Sequence, residues 1–193
     1  MPQTVMPAPD EISYYKLEKE RKVYLDDVID GQLMSLHRMI LRWNMEDAGK
    51  KSEERKPIWI YIMSPGGDID VMWALLDAIG ASVTPVHTVN VGTAASAASL
   101  IFMAGHKRFM MPNAKVMIHE GSAQVGGDAV KVIDFSENYK KELKRMKNFI
   151  LARTEIPAAQ LNKKRSNDWE IDAQFCLENK VCDKIIETLE EVI

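Results

Sequence analysis

The sequence predicts an α/β fold in which buried parallel strands alternate with helices through right-handed crossovers. Three observations predict it. Ile58-Trp59-Ile60-Tyr61-Ile62-Met63 is a continuous apolar run rich in β-formers, as expected of a strand buried on both faces of a parallel sheet, and Val86 to Val91 reads as a second such strand. Each is followed by a glycine-bearing break. Each break leads into a stretch with helical periodicity.

Taken in order, the 193 residues are expected to form one domain, 1–193, with a flexible N-terminal segment over 1–13. Lys22-Val23-Tyr24-Leu25 reads as a short strand. Leu33, Leu36, Ile40 and Trp43 then recur at spacings of three and four, one apolar face of a helix. Glu46 to Pro57 is dense in charge and contains Gly49, so a surface loop is expected. After the strand at 58–63, Ser64-Pro65-Gly66-Gly67-Asp68 breaks the chain. A helix follows with Ile69, Met72, Trp73, Leu76 and Ile79 inward and Gly80 as its stop. Gly92-Thr93-Ala94 is read as the turn from the strand at 86–91 into a small-residue helix ending near Gly105.

Arg108 to Met111 and Lys115 to His119 read as two short strands joined by Pro112-Asn113. Gly126-Gly127-Asp128 precedes a long amphipathic helix to about Arg153, with Val132, Phe135, Tyr139, Leu143, Met146 and Ile150 on one side. Such a helix is about 37 Å long at 1.5 Å per residue. The pattern fits equally a helix that protrudes toward another subunit and one that covers the core. In the tail, Pro157 starts a helix, Ser166-Asn167-Asp168 forms a polar turn, Asp172 caps a short helix, and Val181 onward closes the chain.

Composition removes several classes of function. A net charge of −3, with acidic residues interleaved among the basic ones, gives no nucleic-acid surface. The longest apolar stretch, Ala94 to Ala104, is too short to span a bilayer. Met1 to Asp10 is Pro-rich without an apolar or Arg-rich amphipathic pattern, so a cytoplasmic location is expected. The two cysteines, Cys176 and Cys182, form no CxxC pair and read as reduced thiols, not a metal site or a disulfide framework.

The chemistry points to the two strand-to-helix breaks. Such turns leave backbone N–H groups unpaired under a favourable helix dipole, a geometry that holds negative charge developing on an oxygen. Ser96 lies at the start of the small-residue helix, beside such groups, and a serine needs an adjacent base to become a nucleophile. Ser99 shares that composition and stays open as a rival. His119 ends the strand Val116-Met117-Ile118, where an imidazole can take the serine proton. His37, His87 and His106 fit a helix face, a buried strand and a basic turn. A carboxylate must hold the imidazole's tautomer. Asp168 is followed by Trp169, which is expected to shield the pair from water, whereas Asp172 fits a helix N-cap and Glu120 points the opposite way along the strand.

Over roughly Tyr14 to Leu189 the sequence resembles the Clp protease proteolytic subunit family. Ile60-Tyr61-Ile62-Met63-Ser64-Pro65-Gly66-Gly67, Gly92-Thr93-Ala94-Ala95-Ser96, Arg108-Phe109-Met110-Met111-Pro112-Asn113 and Val116-Met117-Ile118-His119 resemble its motifs, in its order and at similar spacing. The resemblance implies a crotonase-like α/β fold and a serine endopeptidase, with Ser96 as nucleophile, His119 as general base and Asp168 as the orienting acid. It also implies an oxyanion hole from the amides of Gly67 and Ala97. About 120–153 becomes the family's handle, joining heptameric rings into a tetradecamer. The implied partner is an AAA+ unfoldase that uses ATP and delivers unfolded polypeptide, so the peptidase itself needs no cofactor.

The sequence departs from the family pattern in four places. Ala97 and Ala98 follow the serine where methionine and glycine are common. Glu120-Gly121-Ser122 lacks Gln-Pro, Trp169-Glu170 follows the acid, and the N-terminal segment is unlike the family's axial loops. These departures fit a divergent or phage-encoded member. Two other readings accommodate the same turns: a noncatalytic ring subunit, and a crotonase-type acyl-CoA enzyme that uses the paired amides without a serine nucleophile.

Overall fold

The structure is a computed structural model and describes residues 9–121, 124–164 and 167–193; residues 1–8, 122–123 and 165–166, and with them the expected turn residue Ser166, lie outside them. Its centre is a sheet of strands β1 (Lys22–Leu25), β2 (Ile58–Ser64), β3 (Val86–Ala95), β4 (Lys107–Met110) and β7 (Lys184–Ile185), hydrogen-bonded in the order β1-β2-β3-β4-β7 and all parallel. Strand β5 (Lys115–Ile118) pairs parallel with β3 and antiparallel with β6 (Trp169–Asp172). The α-helices among the described residues are α1 (Pro9–Lys19), α2 (Met34–Glu46), α3 (Ile69–Ala81), α4 (Ala97–Ala104), α5 (Ala129–Arg153), α6 (Ala158–Lys164) and α7 (Ala173–Glu178). The predicted α/β class and its crossovers are present.

Strand β3 does more than its sequence advertises. The expected turn at Gly92-Thr93-Ala94 is strand instead, because Thr93, Ala94 and Ala95 pair with Lys115, Val116 and Met117 of β5. The first half of β3 pairs with β4 through His87 to Asn90, so β3 changes partners near its middle. The fully buried Asn90 covers that change: its amide donates to the Lys115 carbonyl at 2.9 Å and its side-chain oxygen accepts from the Gly92 amide at 3.1 Å. Buried backbone groups left open by a change of partner need such substitutes. Small residues read as a turn in sequence form a strand because a neighbouring strand satisfies them.

Every residue of α4 is buried, which explains its small and apolar composition. Gly80 lies inside α3 and is not its stop; the helix ends at Ser82, and the Asn44 side chain accepts from the Val83 and Thr84 amides just beyond, at 2.9 and 3.2 Å. The N-terminal segment expected to be flexible over 1–13 is helical from Pro9. It escaped the periodicity test because Tyr14 and Tyr15 are exposed, and polar contacts such as Glu18 to Arg42 at 2.8 Å tie it to α2. Strand β6 was also unforeseen. Trp169 and Ile171 face inward along it while Asp172 caps α7 as predicted, accepting from the Phe175 amide at 2.8 Å.

The long helix α5 divides into two. Ala129 to Asn138 are exposed, whereas the second half is fastened to the body. The Trp73 indole donates to Glu142 at 2.8 Å, and the Arg145 guanidinium lies 3.7 Å from the Trp73 ring centroid. Arg153 donates to the carbonyls of Met103, Ala104 and Gly105 at 2.9, 3.3 and 2.6 Å, a cation at the negative end of α4. The outer half protrudes and the inner half covers the core. Among the described residues no helix is long and apolar enough to cross a membrane.

His87 sits on the sheet face away from α4, edge-on to Trp59 with centroids 4.6 Å apart, only 8% exposed and with Nδ1 unpartnered among the described residues. Burial, helped by Lys107 and His106, pushes its pKa down to about 4. A histidine kept neutral by folding stabilises the protein fully above its unfolded pKa near 6.5, and that contribution fades as pH falls from there through the folded pKa. At pH 4.5 the loss comes to about 2–3 kcal/mol. Denaturant titrations at pH 7.5 and 4.5 are expected to show a smaller acid loss, by about that amount, for His87→Phe than for the native chain.

Candidate active site

The site is assembled by two turns and one strand end. The first turn follows β2. Ile29 and this turn form a one-residue parallel bridge in which the Ile29 amide donates to the Gly66 carbonyl at 2.9 Å and the Asp68 amide to the Ile29 carbonyl at 2.8 Å. Alternation along an extended backbone then turns the amide of Gly67, the residue between, to the other side. A Cβ on Gly67, at φ +154°, would lie 2.2 Å from the Ile29 oxygen, so only glycine allows this approach. Asp68 caps α3 by accepting from the amides of Asp70 and Val71 at 2.8 and 3.0 Å.

The second turn joins β3 to α4 and presses against the first. A Cβ on Gly66 would lie 2.8 Å from the Ser96 Cβ and 3.0 Å from the Ala97 nitrogen. Ser96 occupies φ 53°, ψ −124°, a conformation costly for a residue with a side chain. Its amide donates to the Met117 carbonyl at 2.9 Å, which anchors the bend to β5. Ala97 is the first residue of α4, where an amide has no intrahelical acceptor. Among the described residues neither the Gly67 nor the Ala97 amide has a hydrogen-bond acceptor. Both residues line one cavity of about 210 Å³ together with Ser96, His119, Tyr139 and Met146.

Register brings the third and fourth groups in. The β3–β5 ladder ends at Ala95↔Met117 and the β5–β6 ladder at Ile118↔Trp169. Continuing the second ladder by one residue sets His119 opposite Asp168, with their side chains on one face. His119 Nε2 lies 2.7 Å from Ser96 Oγ, and His119 Nδ1 lies 3.0 Å from Asp168 Oδ1. The structure therefore brings together all five residues picked from the sequence: Ser96, His119, Asp168, Gly67 and Ala97.

The rivals fall elsewhere. The Ser99 hydroxyl donates to the Ser96 carbonyl at 2.6 Å and the residue is fully buried, so it serves the first turn of α4. His106 Nδ1 accepts from the Val86 amide at 2.9 Å, and Asp172 is a helix cap. Cys176 and Cys182 are free and buried, and burial raises both thiols, Cys182 to about 11 and Cys176 further, so neither supplies a thiolate. One expectation needs correction. Trp169 does not shield the His119–Asp168 pair, because alternation along β6 sends its ring inward, edge-on to Phe175, while the Asp168 side chain remains 74% exposed.

Tyr139 and Met146 line the cavity as well, although nothing in the sequence marks them as site residues. Both belong to the apolar stripe recognised on α5, and only the fold shows that this stripe closes the cavity.

Comparison with known proteins gives these observations a context. The family model described as Clp protease matches residues 10–189. The chain is similar to the ATP-dependent Clp protease proteolytic subunit 2 of Treponema denticola, 30% identical over 192 residues, covering 91% of this chain and 94% of the relative. The protein of the same description from Corynebacterium diphtheriae is 30% identical over 178 residues, covering 91% of this chain and 86% of its own length. That of Treponema pallidum is 31% identical over 134 residues, 68% of this chain and 67% of the relative. With the family model spanning residues 10–189 and the mostly parallel sheet formed as the resemblance implied, the chain belongs to the Clp protease family.

Proposed function

We propose that the chain is a serine-type endopeptidase, the proteolytic subunit of an ATP-dependent Clp protease, and that Ser96, His119 and Asp168 carry the reaction. The observation that bears this reading is the pair of contacts on one imidazole, 2.7 Å to a hydroxyl and 3.0 Å to a carboxylate. Both lie within the reach general-base catalysis needs. Ser96 Oγ attacks the peptide carbonyl while its proton passes to His119 Nε2. The carbonyl oxygen takes up negative charge facing the Gly67 and Ala97 amides, the second at the positive end of α4. His119 then protonates the leaving amine, the C–N bond breaks, and an acyl ester remains on Ser96. Water, deprotonated by His119, attacks that ester and releases the acid, restoring the serine. Asp168 holds the Nδ1 proton and balances the imidazolium charge throughout. An aligned hydroxyl and imidazole favour this reading over a noncatalytic ring subunit. They also favour it over an acyl-CoA enzyme, which has no use for either group.

The same proposal includes assembly into heptameric rings, paired as a tetradecamer, with the exposed half of α5 and its Val130, Val132 and Ile133 as contact material. A Clp-type AAA+ ATPase delivers unfolded polypeptide and uses the ATP, so the peptidase needs no cofactor of its own. Two unpaired thiols fit a cytoplasmic setting. Hydrolysis of a coumarin-labelled peptide by the purified chain tests the reading. Release is expected, and a fluorophosphonate should block it in step with the number of subunits modified. Hydrolysis that survives full modification would count against it.

A further inference from the structure

We propose that the Tyr139 hydroxyl is a positioning group for His119, fastening the protruding helix α5 to the imidazole that acts as base; the inference rests on the serine-peptidase reading above. His119 and Glu120 continue past the end of β5, beyond the last paired residues of both ladders. There the Tyr139 hydroxyl donates to the Glu120 carbonyl at 2.7 Å. That oxygen belongs to the residue directly after His119, so fixing it restricts the backbone from which the imidazole reaches Ser96 and Asp168. Gly121 makes the approach possible. It sits at φ +77°, and a Cβ there would lie 3.0 Å from the Tyr139 oxygen.

Two further observations give the contact its meaning. Ala129 to Asn138 are exposed, and Tyr139 is the first residue from the outer end of α5 to be partly buried. Phe135, one turn outward, stacks on its ring at 6.0 Å and 8°. The base is thus tied to the point where α5 leaves the body. Burial, and after it the Glu120 charge, raises the Tyr139 phenol above its ordinary pKa, so the group stays a donor wherever the peptidase works. Tyr139 shares the cavity with Ser96 and His119, yet its hydroxyl is engaged with the backbone and not aimed at Ser96. It acts through His119.

Tyr139→Phe removes the donor and keeps the ring. In the full chain, kcat for a fluorogenic peptide and the rate constant for fluorophosphonate labelling of Ser96 are each expected to fall about tenfold, since small misplacements of a reacting group carry rate losses up to about a hundredfold. KM should stay within about twofold, because the ring still walls the cavity. Gly121→Ala crowds the same contact and also strains the backbone at φ +77°, so its loss should exceed that of Tyr139→Phe and persist in the double variant. A Tyr139→Phe protein with native kcat and labelling rate overturns the proposal, as does a change confined to KM, which would make Tyr139 a mere wall. Native protein that is not labelled at Ser96 would remove the underlying reading, and that outcome is distinct from both.

Discussion

Replacing Ser96 or His119 with alanine is expected to lower kcat/KM for peptide hydrolysis by about 10⁴- to 10⁶-fold, and the double variant should be no worse than the poorer single one. The two groups act as one unit. Without the imidazole the hydroxyl keeps its proton, and without the hydroxyl the imidazole has nothing to activate. The remaining rate should come from the two amides and from binding. The backbone adds a second, opposite expectation. Ser96 is held at φ 53°, ψ −124°, where a side chain costs about 1–3 kcal/mol and glycine costs little. Glycine loses about 0.5–1 kcal/mol more chain entropy on folding. Ser96→Gly should therefore be inactive yet about 1 kcal/mol more stable than the native protein in denaturant titration, while Ser96→Ala shows no such gain. A destabilised Ser96→Gly would mean that the bend stores no strain.

The second large effect concerns Gly67. A methyl group there would sit 2.2 Å from the Ile29 carbonyl, and the obstructing atom is backbone that cannot swing aside. Gly67→Ala must separate Ile29 from the turn, breaking the bonds from Ile29 to Gly66 and from Asp68 to Ile29. Losing two backbone hydrogen bonds costs about 1–3 kcal/mol of stability. The Gly67 amide also leaves its place, and removing one oxyanion donor costs about 10²- to 10³-fold in kcat. Thermal unfolding and kcat should fall together in this variant. Gly80→Ala, inside α3 and with nothing within 4 Å of the added carbon, should leave kcat nearly unchanged and raise stability by about 0.5–1 kcal/mol.

How much of this was legible beforehand depends on how local each signal is. The strand at Ile58–Ser64 and the helix after it carry their pattern in consecutive residues, and both were readable. Strand β6 was not, because four residues with two inward positions are too short to show a period, and its pairing with β5 spans about fifty residues of chain. For the same reason the sequence marks Asp168 only by its place in a turn, whereas its position opposite His119 follows from a register that no local pattern encodes. The strand character of Thr93 to Ala95 was hidden by small side chains that look like a turn until β5 lies beside them. In sequence alone Trp169 offers itself as a shield only because it follows Asp168. The alternation of β6, invisible without the strand, turns it into the core. The candidate site was legible as residue identities, and its geometry belongs to the pairing of β3, β5 and β6.

Peptide mapping of the fluorophosphonate adduct tests the central assignment most directly. Digested native protein should carry the added mass on the peptide containing Ser96, with fragment ions placing it on that residue, and the mass should be absent after Ser96→Ala or strongly reduced after His119→Ala. An adduct on Ser99 or on a residue outside the cavity, persisting when Ser96 is alanine, would contradict the account.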